Sequence, residues 1–161
     1  MGKSAGKLMA TVFWDHKGVL LVDFMERGTT INAGSYCATL ERLRAAIKRK
    51  RPGLLTTGVL LLHDNARPHV ATETQQLLQR FKWTILEHPP YSPDLAPSDF
   101  HLFLALKDHL SGHKFTSDDD VKTAVTRWLK SQGAEFYETG INKLVPRLDK
   151  CLNLGGDYVE K

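Results

Sequence analysis

Two aspartates stand at positions from which carboxylates could act together. Asp64 closes the apolar run "GVLLLHD" (58–64). Asp99 stands where the proline-rich stretch "PPYSPDLAPSD" (89–99) gives way to a helical pattern, with 34 residues between the two acids. In open α/β sheets, ligands sit outside the carboxyl ends of strands. Two neighbouring carboxylates repel, and one takes a proton unless a cation intervenes. A hard divalent cation is the natural remedy, and Mg²⁺ accepts one or two carboxylates together with water and phosphate oxygens. Two such ions, roughly 3.5–4 Å apart, can activate a water or a 3′-hydroxyl and stabilise the leaving oxygen of a phosphodiester. The same two placements also suit a turn residue and a helix-start residue with no chemistry attached.

Other polar residues offer alternatives. His63 and His69 flank Asp64, but zinc takes about four close ligands, and no cysteine pair accompanies them. Asn65 either orients Asp64 or a water, or shapes the turn. The run Lys48, Arg49, Lys50, Arg51 could contact phosphates or act as a nuclear-import signal. It could equally be a solvated helix end, where cations suit the negative end of the dipole. His109 and His113 are four apart, but Ser111–Gly112 breaks the helix between them, which excludes them as a ligand pair. Tyr91, Ser92 and Pro93 shape the loop that carries Asp99. No Ser-His-Asp set and no phosphate-cradling glycine loop stands out.

The elements that must position these residues follow from periodicity. Residues 7–14 and 19–25 read as strands joined by the turn "DHKG", a β-hairpin. Thr30 or Asn32 caps a helix in which Tyr36, Leu40, Leu43 and Ile47 recur at helical spacing, and Pro52–Gly53 stops it. Residues 58–64 read as a central strand covered on both faces. A helix over 69–81 turns Val70, Leu77, Leu78 and Phe81 inward, and 83–88 is another strand. A helix starts near Pro97–Ser98 and buries Leu102, Phe103, Leu106 and Leu110. The next has an Asp-rich first turn and a core stripe of Val121, Val125, Trp128 and Leu129. A last short helix is expected over 143–152. The order predicts an α/β fold, a mixed sheet flanked by helices. There is no internal repeat and no evident domain boundary, so residues 1–161 read as a single domain.

Bulk properties narrow the classes. The chain has 161 residues, 42% hydrophobic and 25% charged, ordinary globular values that argue against wholesale disorder. The formal net charge of +4 is compatible with a polyanionic partner. Cys37 and Cys151 lie far apart and read as reduced, buried thiols of an intracellular protein. No signal peptide is expected, and the longest apolar run is too short to span a bilayer.

The longer motifs resemble a known family. "LLHDNARPHVA" and "HPPYSPDLAPSDFHLF" are closely similar to the catalytic core of mariner-type transposases of the Tc1/mariner superfamily. The likeness extends through "FYETGINKLVPRLDKC" and "GGDY", and back to "MATVFWDHKGV". It also covers the transposase part of the SET–mariner fusion protein, although nothing here looks like a SET domain. The resemblance implies an RNase H-like fold and three acids that bind Mg²⁺ or Mn²⁺, with Asp64 matching the second and Asp99 the third. It also places Arg67 and His69 in the matched motif, as aids to the acids or as DNA-phosphate contacts. The first acid of the family, on the first central strand, is not found, and neither is the helix-turn-helix DNA-binding part. Asp15 matches a turn position, and Asp23 reads as an outward strand residue. The expectation is a truncated catalytic core, lacking that central strand, for metal-dependent DNA strand cleavage and strand transfer, impaired without its first acid. DNA, a second copy of the chain and a nuclear location are the implied partners and place. The alternative is a non-catalytic module that binds nucleic acid or protein.

Overall fold

The structure, a computed structural model, describes residues 8–25, 29–62, 67–86 and 96–144. Two compact units emerge. The first takes Met1–Phe13 and Leu20–Glu87, and the second takes Trp14–Val19 and His88–Lys161.

The hairpin contributes to both. β1 (Met9–Asp15) and β2 (Gly18–Met25) pair, and the two-residue turn between them makes the pair antiparallel. The turn is built by Asp15, whose Oδ1 accepts the backbone N–H groups of Lys17 at 2.9 Å and Gly18 at 3.2 Å. Asp15 is therefore a turn residue, as its place in the motif implied. Gly18 has φ +136°, a conformation that disfavours any side chain.

In the first unit, α1 (Ala33–Lys50) begins on a capping box. Asn32 accepts from the Ser35 N–H, and the Ser35 hydroxyl accepts from the Asn32 N–H. Of the two cap residues expected, Asn32 is the one used. The helix ends before Pro52 and Gly53, the latter at φ +88°. Its inner face carries Tyr36, Leu40, Leu43 and Ile47, which form one core with Leu20, Val59, Leu61, Leu77, Leu78 and Trp83. A short α2 (Leu54–Thr57) leads into β3 (Leu60–Leu62), which pairs in parallel with β4 (Thr84–Leu86), Leu61 opposite Ile85. The described residues thus hold one antiparallel and one parallel pair, the two orientations a mixed sheet combines.

Three expectations need correction in this unit. β3 is not covered on both faces among the described residues, since Leu61 is buried but Leu60 is 63% exposed. The helix expected over 69–81 is two helices, α3 (Arg67–Val70) and α4 (Thr72–Phe81), because Ala71 at φ −60°, ψ 149° interrupts the ladder. That break leaves Val70 exposed, while Thr74 is buried completely and its hydroxyl donates to the Pro68 carbonyl. Asp23 does not point outward. It accepts from the Thr39 hydroxyl at 2.7 Å and pairs with Arg42 on α1 at 2.5 Å.

In the second unit, a π-helical turn (Ser98–Leu102) runs into α5 (Phe103–Leu110), with Leu102 and Leu106 buried. α6 (Asp118–Ser131) starts on Ser117, whose hydroxyl accepts the Asp120 N–H, and it buries Val125, Trp128 and Leu129. α7 (Ala134–Asn142) follows. Sequence periodicity did not mark this helix, whose C-cap is Lys143, and the helix expected over 143–152 falls almost wholly outside the described residues. Residues 145–152 lie outside the described set. The sequence hides α7 because Gly140 falls inside it, and glycine normally costs a helix about 1 kcal/mol. Here Gly140 is set by packing: a Cβ at this position would lie 2.5 Å from His101 Cδ2 and 2.9 Å from Trp14 Cη2.

Candidate functional site

The candidate residues fall into three groups. Asp64, Asn65 and His63 lie outside the described residues, as do the side chains of Arg67 and Asp99. The backbone of Arg67 opens α3, and that of Asp99 lies within the π-helical turn. Asp64 falls in the first unit and Asp99 in the second.

His69 is described fully. Its ring stacks on Tyr36 of α1 with centroids 4.0 Å apart and planes 30° apart. This contact joins α3 to α1. The Thr74–Pro68 hydrogen bond and a bond of 2.8 Å from Gln75 Nε2 to the Val70 carbonyl join α3 to α4. The Cys37 thiol donates to Thr74 Oγ1 at 3.7 Å, which ties α1 into the same cluster. Cys37 is a free, half-buried cysteine, and Cys151 lies outside the described residues. α3 is thus tied on two sides.

The basic run divides by role. Lys48 and Arg49 are exposed in the last turn of α1. The Lys50 ammonium donates to the Leu20 carbonyl on β2 at 3.0 Å. The Arg51 backbone N–H caps the helix on the Ile47 carbonyl, and its guanidinium donates to the Lys50 carbonyl at 3.1 Å. Arg44, one turn earlier, lies 5.5 Å above the Phe81 ring.

Around Asp99 the second unit builds a tight aromatic setting. The Trp14 indole N–H donates to Ser98 Oγ at 2.9 Å. His101 Nε2 meets the Phe136 carbonyl at 2.7 Å, and because a carbonyl only accepts, this nitrogen carries the proton. Trp14 packs its ring on His101 and Tyr137. Tyr137 is buried, and its hydroxyl donates to the Leu129 carbonyl. Burial pushes its pKa up to about 12. Trp14, Ser98 and His101 all lie in the quoted motifs, but nothing in the sequence pairs them, and Trp14 is 84 residues from its partner Ser98. His109, in the last turn of α5, stacks at 5.7 Å with His113 beyond the helix end, and His109 also packs against Trp128. Among the described residues, no group of three or more His, Cys, Asp or Glu is arranged to hold a metal ion.

These elements define an α/β protein. Comparison with known proteins gives the family. The transposase family, in its partial DDE domain, matches residues 2–57. The mariner Mos1 transposase of Drosophila mauritiana is 40% identical over 156 residues, covering 96% of this chain and 45% of its own length. The human histone-lysine N-methyltransferase SETMAR is 38% identical over 155 residues, covering 96% of this chain and 23% of its own length. The structure of the Mos1 catalytic domain with raltegravir and Mn superposes with a TM-score of 0.90 at 39% identity, covering 97% of this chain and 79% of that one. The Mos1 paired-end complex with Mn superposes with a TM-score of 0.89 at 40% identity, covering 95% and 45%. The chain belongs to the mariner transposases and has the α/β, RNase H-like architecture of their catalytic domain. It spans less than half the length of the two full-length relatives.

Proposed function

We propose that residues 1–161 form a single catalytic domain for metal-dependent DNA strand cleavage and strand transfer, with Asp64 and Asp99 as its metal-holding acids. The observation that carries this reading is the match, over nearly the whole chain, to a transposase catalytic domain solved with Mn. Two carboxylates are also the hard-oxygen donors that Mg²⁺ and Mn²⁺ take. When bound, the metals would activate a water or 3′-hydroxyl and stabilise the leaving oxygen at a phosphodiester. The chain's own part is to hold the two acids in place. In the first unit, α3, which begins three residues after Asp64 in sequence, is tied to α1 and α4. In the second, hydrogen bonds on both sides of Asp99 fix the turn that carries it.

DNA is the proposed substrate, and a second copy of the chain the proposed partner. A net charge of +4 suits a polyanion, and Lys48 and Arg49 lie exposed to meet one. Asn65, Arg67 and His69 are proposed to steady Asp64 or to touch phosphate, while Lys50 and Arg51 also fasten the end of α1. A nuclear location follows from the proposed substrate. No described helix is long and apolar enough to cross a membrane. The family's first acid matches no residue of this chain, so residues 1–161 alone are expected to bind metal and cut DNA weakly.

A thermal melt with and without Mn²⁺, beside Asp64→Ala, tests the reading. Ligand at 100 times its dissociation constant adds about 2.7 kcal/mol to the stability of the state that binds it. The expected result is a melt raised by Mn²⁺ in the parent and not in the variant. A cooperative melt indifferent to Mn²⁺ would overturn the metal site and leave a non-catalytic binding module.

A further inference from the structure

The π-helical turn Ser98–Leu102 is an unusual piece of backbone. Its closing bond runs from the Phe103 N–H to the Ser98 carbonyl, five residues back. Such turns are rare, and they are frequently found at functional sites. The second unit shows what holds this one. Trp14, on the hairpin tip, donates its indole N–H to Ser98 Oγ at 2.9 Å, on the residue directly before Asp99. His101, two residues after Asp99, donates to the Phe136 carbonyl of α7 at 2.7 Å. Leu102 is fully buried. Gly140 of α7 leaves room for the rings of both His101 and Trp14, where any Cβ would clash. The extra residue of the turn is thus clamped on either side of Asp99 by groups from two distant parts of the chain.

From this geometry we infer that Trp14 and Ser98, with His101 behind them, are positioning residues that set the backbone of Asp99 for metal binding. The inference rests on the reading of Asp99 as a metal-holding acid. The Trp14–Ser98 bond carries its specific content. Packing alone would require only the indole ring, whereas positioning requires the indole N–H and the Ser98 hydroxyl as well. Removing a group that orients a metal ligand typically costs roughly ten-fold or more in metal affinity.

The test is Mn²⁺ affinity, measured by calorimetric titration of the 161-residue chain, for the parent and for Ser98→Ala, Ser98→Thr, Trp14→Phe and Asp99→Ala. Thermal midpoints recorded without metal serve as the check on folding. Trp14→Phe keeps an aromatic ring and loses the donor, and Ser98→Thr keeps the hydroxyl. The expected result is a roughly ten-fold loss of affinity in Ser98→Ala and Trp14→Phe, parent affinity in Ser98→Thr, and near-parent midpoints throughout. If Asp99→Ala abolishes binding while Ser98→Ala and Trp14→Phe bind like the parent, the positioning role is overturned and the metal site stands. If Ser98→Thr loses as much affinity as Ser98→Ala, the hydroxyl is not the feature that matters, and the inference falls. If the parent binds no Mn²⁺, or Asp99→Ala binds it unchanged, the reading of Asp99 falls and the inference falls with it.

Discussion

Arg42 reaches across from α1 to Asp23 on β2, Nη2 to Oδ2 at 2.5 Å, and Thr39 donates to the same oxygen at 2.7 Å. The two partners are unequally exposed, with 20% of the Asp23 side chain and 52% of the Arg42 side chain accessible. Exposed ion pairs contribute little, because water screens them and long side chains lose entropy in forming them. A carboxylate with two partners has more to lose. Asp23→Ala should cost about 1–2 kcal/mol, since the Thr39 hydroxyl also loses its shorter acceptor and keeps only the Ser35 carbonyl at 3.1 Å. Arg42→Ala should cost less than about 1 kcal/mol. Urea unfolding of the two variants checks the order, and equal costs would mean that Thr39 contributes nothing.

Gly140 sits in α7 for reasons of space. Helix propensity alone would make Gly140→Ala stabilising by about 1 kcal/mol. The new Cβ would meet His101 at 2.5 Å and Trp14 at 2.9 Å, both of them rings held by hydrogen bonds. Overpacking of this kind costs about 1–3 kcal/mol. Gly140→Ala should therefore lower the thermal midpoint. Gly133, the N-cap of α7, has nothing within 4 Å of its own Cβ position. Gly133→Ser adds a cap acceptor there and should raise stability by a few tenths of a kcal/mol. Opposite signs for two substitutions at glycines of one helix are a sharp outcome to look for.

The contrast between these two glycines shows what the sequence carries and what it does not. Local signals were legible. Asn32, one of the two cap residues expected, starts α1, the Asp-rich turn opens α6, Pro52 and Gly53 end α1, and the Tyr36–Ile47 stripe faces the core. Each depends on residues within a turn or two of one another. Features imposed from a distance were hidden. α7 contains a glycine because Trp14 and His101 crowd it, and Asp23 turns inward because α1 brings it Thr39 and Arg42. The site divides in the same way. The placement of Asp99 where a proline-rich stretch becomes a helix was readable. The π-helical form of that helix start was not, since its clamps come from residues 14 and 136. Asp64 and its immediate neighbours are named by the family motif alone and lie outside the described residues.

Thr74 is the buried polar link behind the segment that follows Asp64. It has no exposed surface, donates to the Pro68 carbonyl and accepts from the Cys37 thiol. Thr74→Val keeps the shape and strips the hydroxyl, so the Pro68 carbonyl loses this donor. The cost should be about 1 kcal/mol, the usual net worth of one hydrogen bond. Thr74→Ser keeps the hydroxyl and should restore part of the loss, short of the methyl group it removes. If α3 steadies Asp64, Thr74→Val should also weaken Mn²⁺ binding while Asp23→Ala does not. Comparing the two variants at matched stability separates local loosening from global loss.

Tyr137 gives the fold a dependence on alkaline pH. Its pKa is raised from 10.0 to about 12 because burial disfavours the phenolate. The folded state therefore holds this proton more tightly than the unfolded state does. The corresponding stability is fully present below pH 10 and is lost as pH rises from 10 towards 12. The hydroxyl also donates to the Leu129 carbonyl, a bond that ionisation would destroy. Tyr137→Phe removes both effects, so it should be less stable than the parent near neutral pH, where the parent keeps its hydrogen bond. The difference should shrink as pH climbs through 10–12, because only the parent has a buried proton to lose. Thermal midpoints of parent and variant, recorded in steps from pH 7 to 12, read this directly. Parallel curves would mean that the buried phenol does not titrate in that range and that other groups set the alkaline limit.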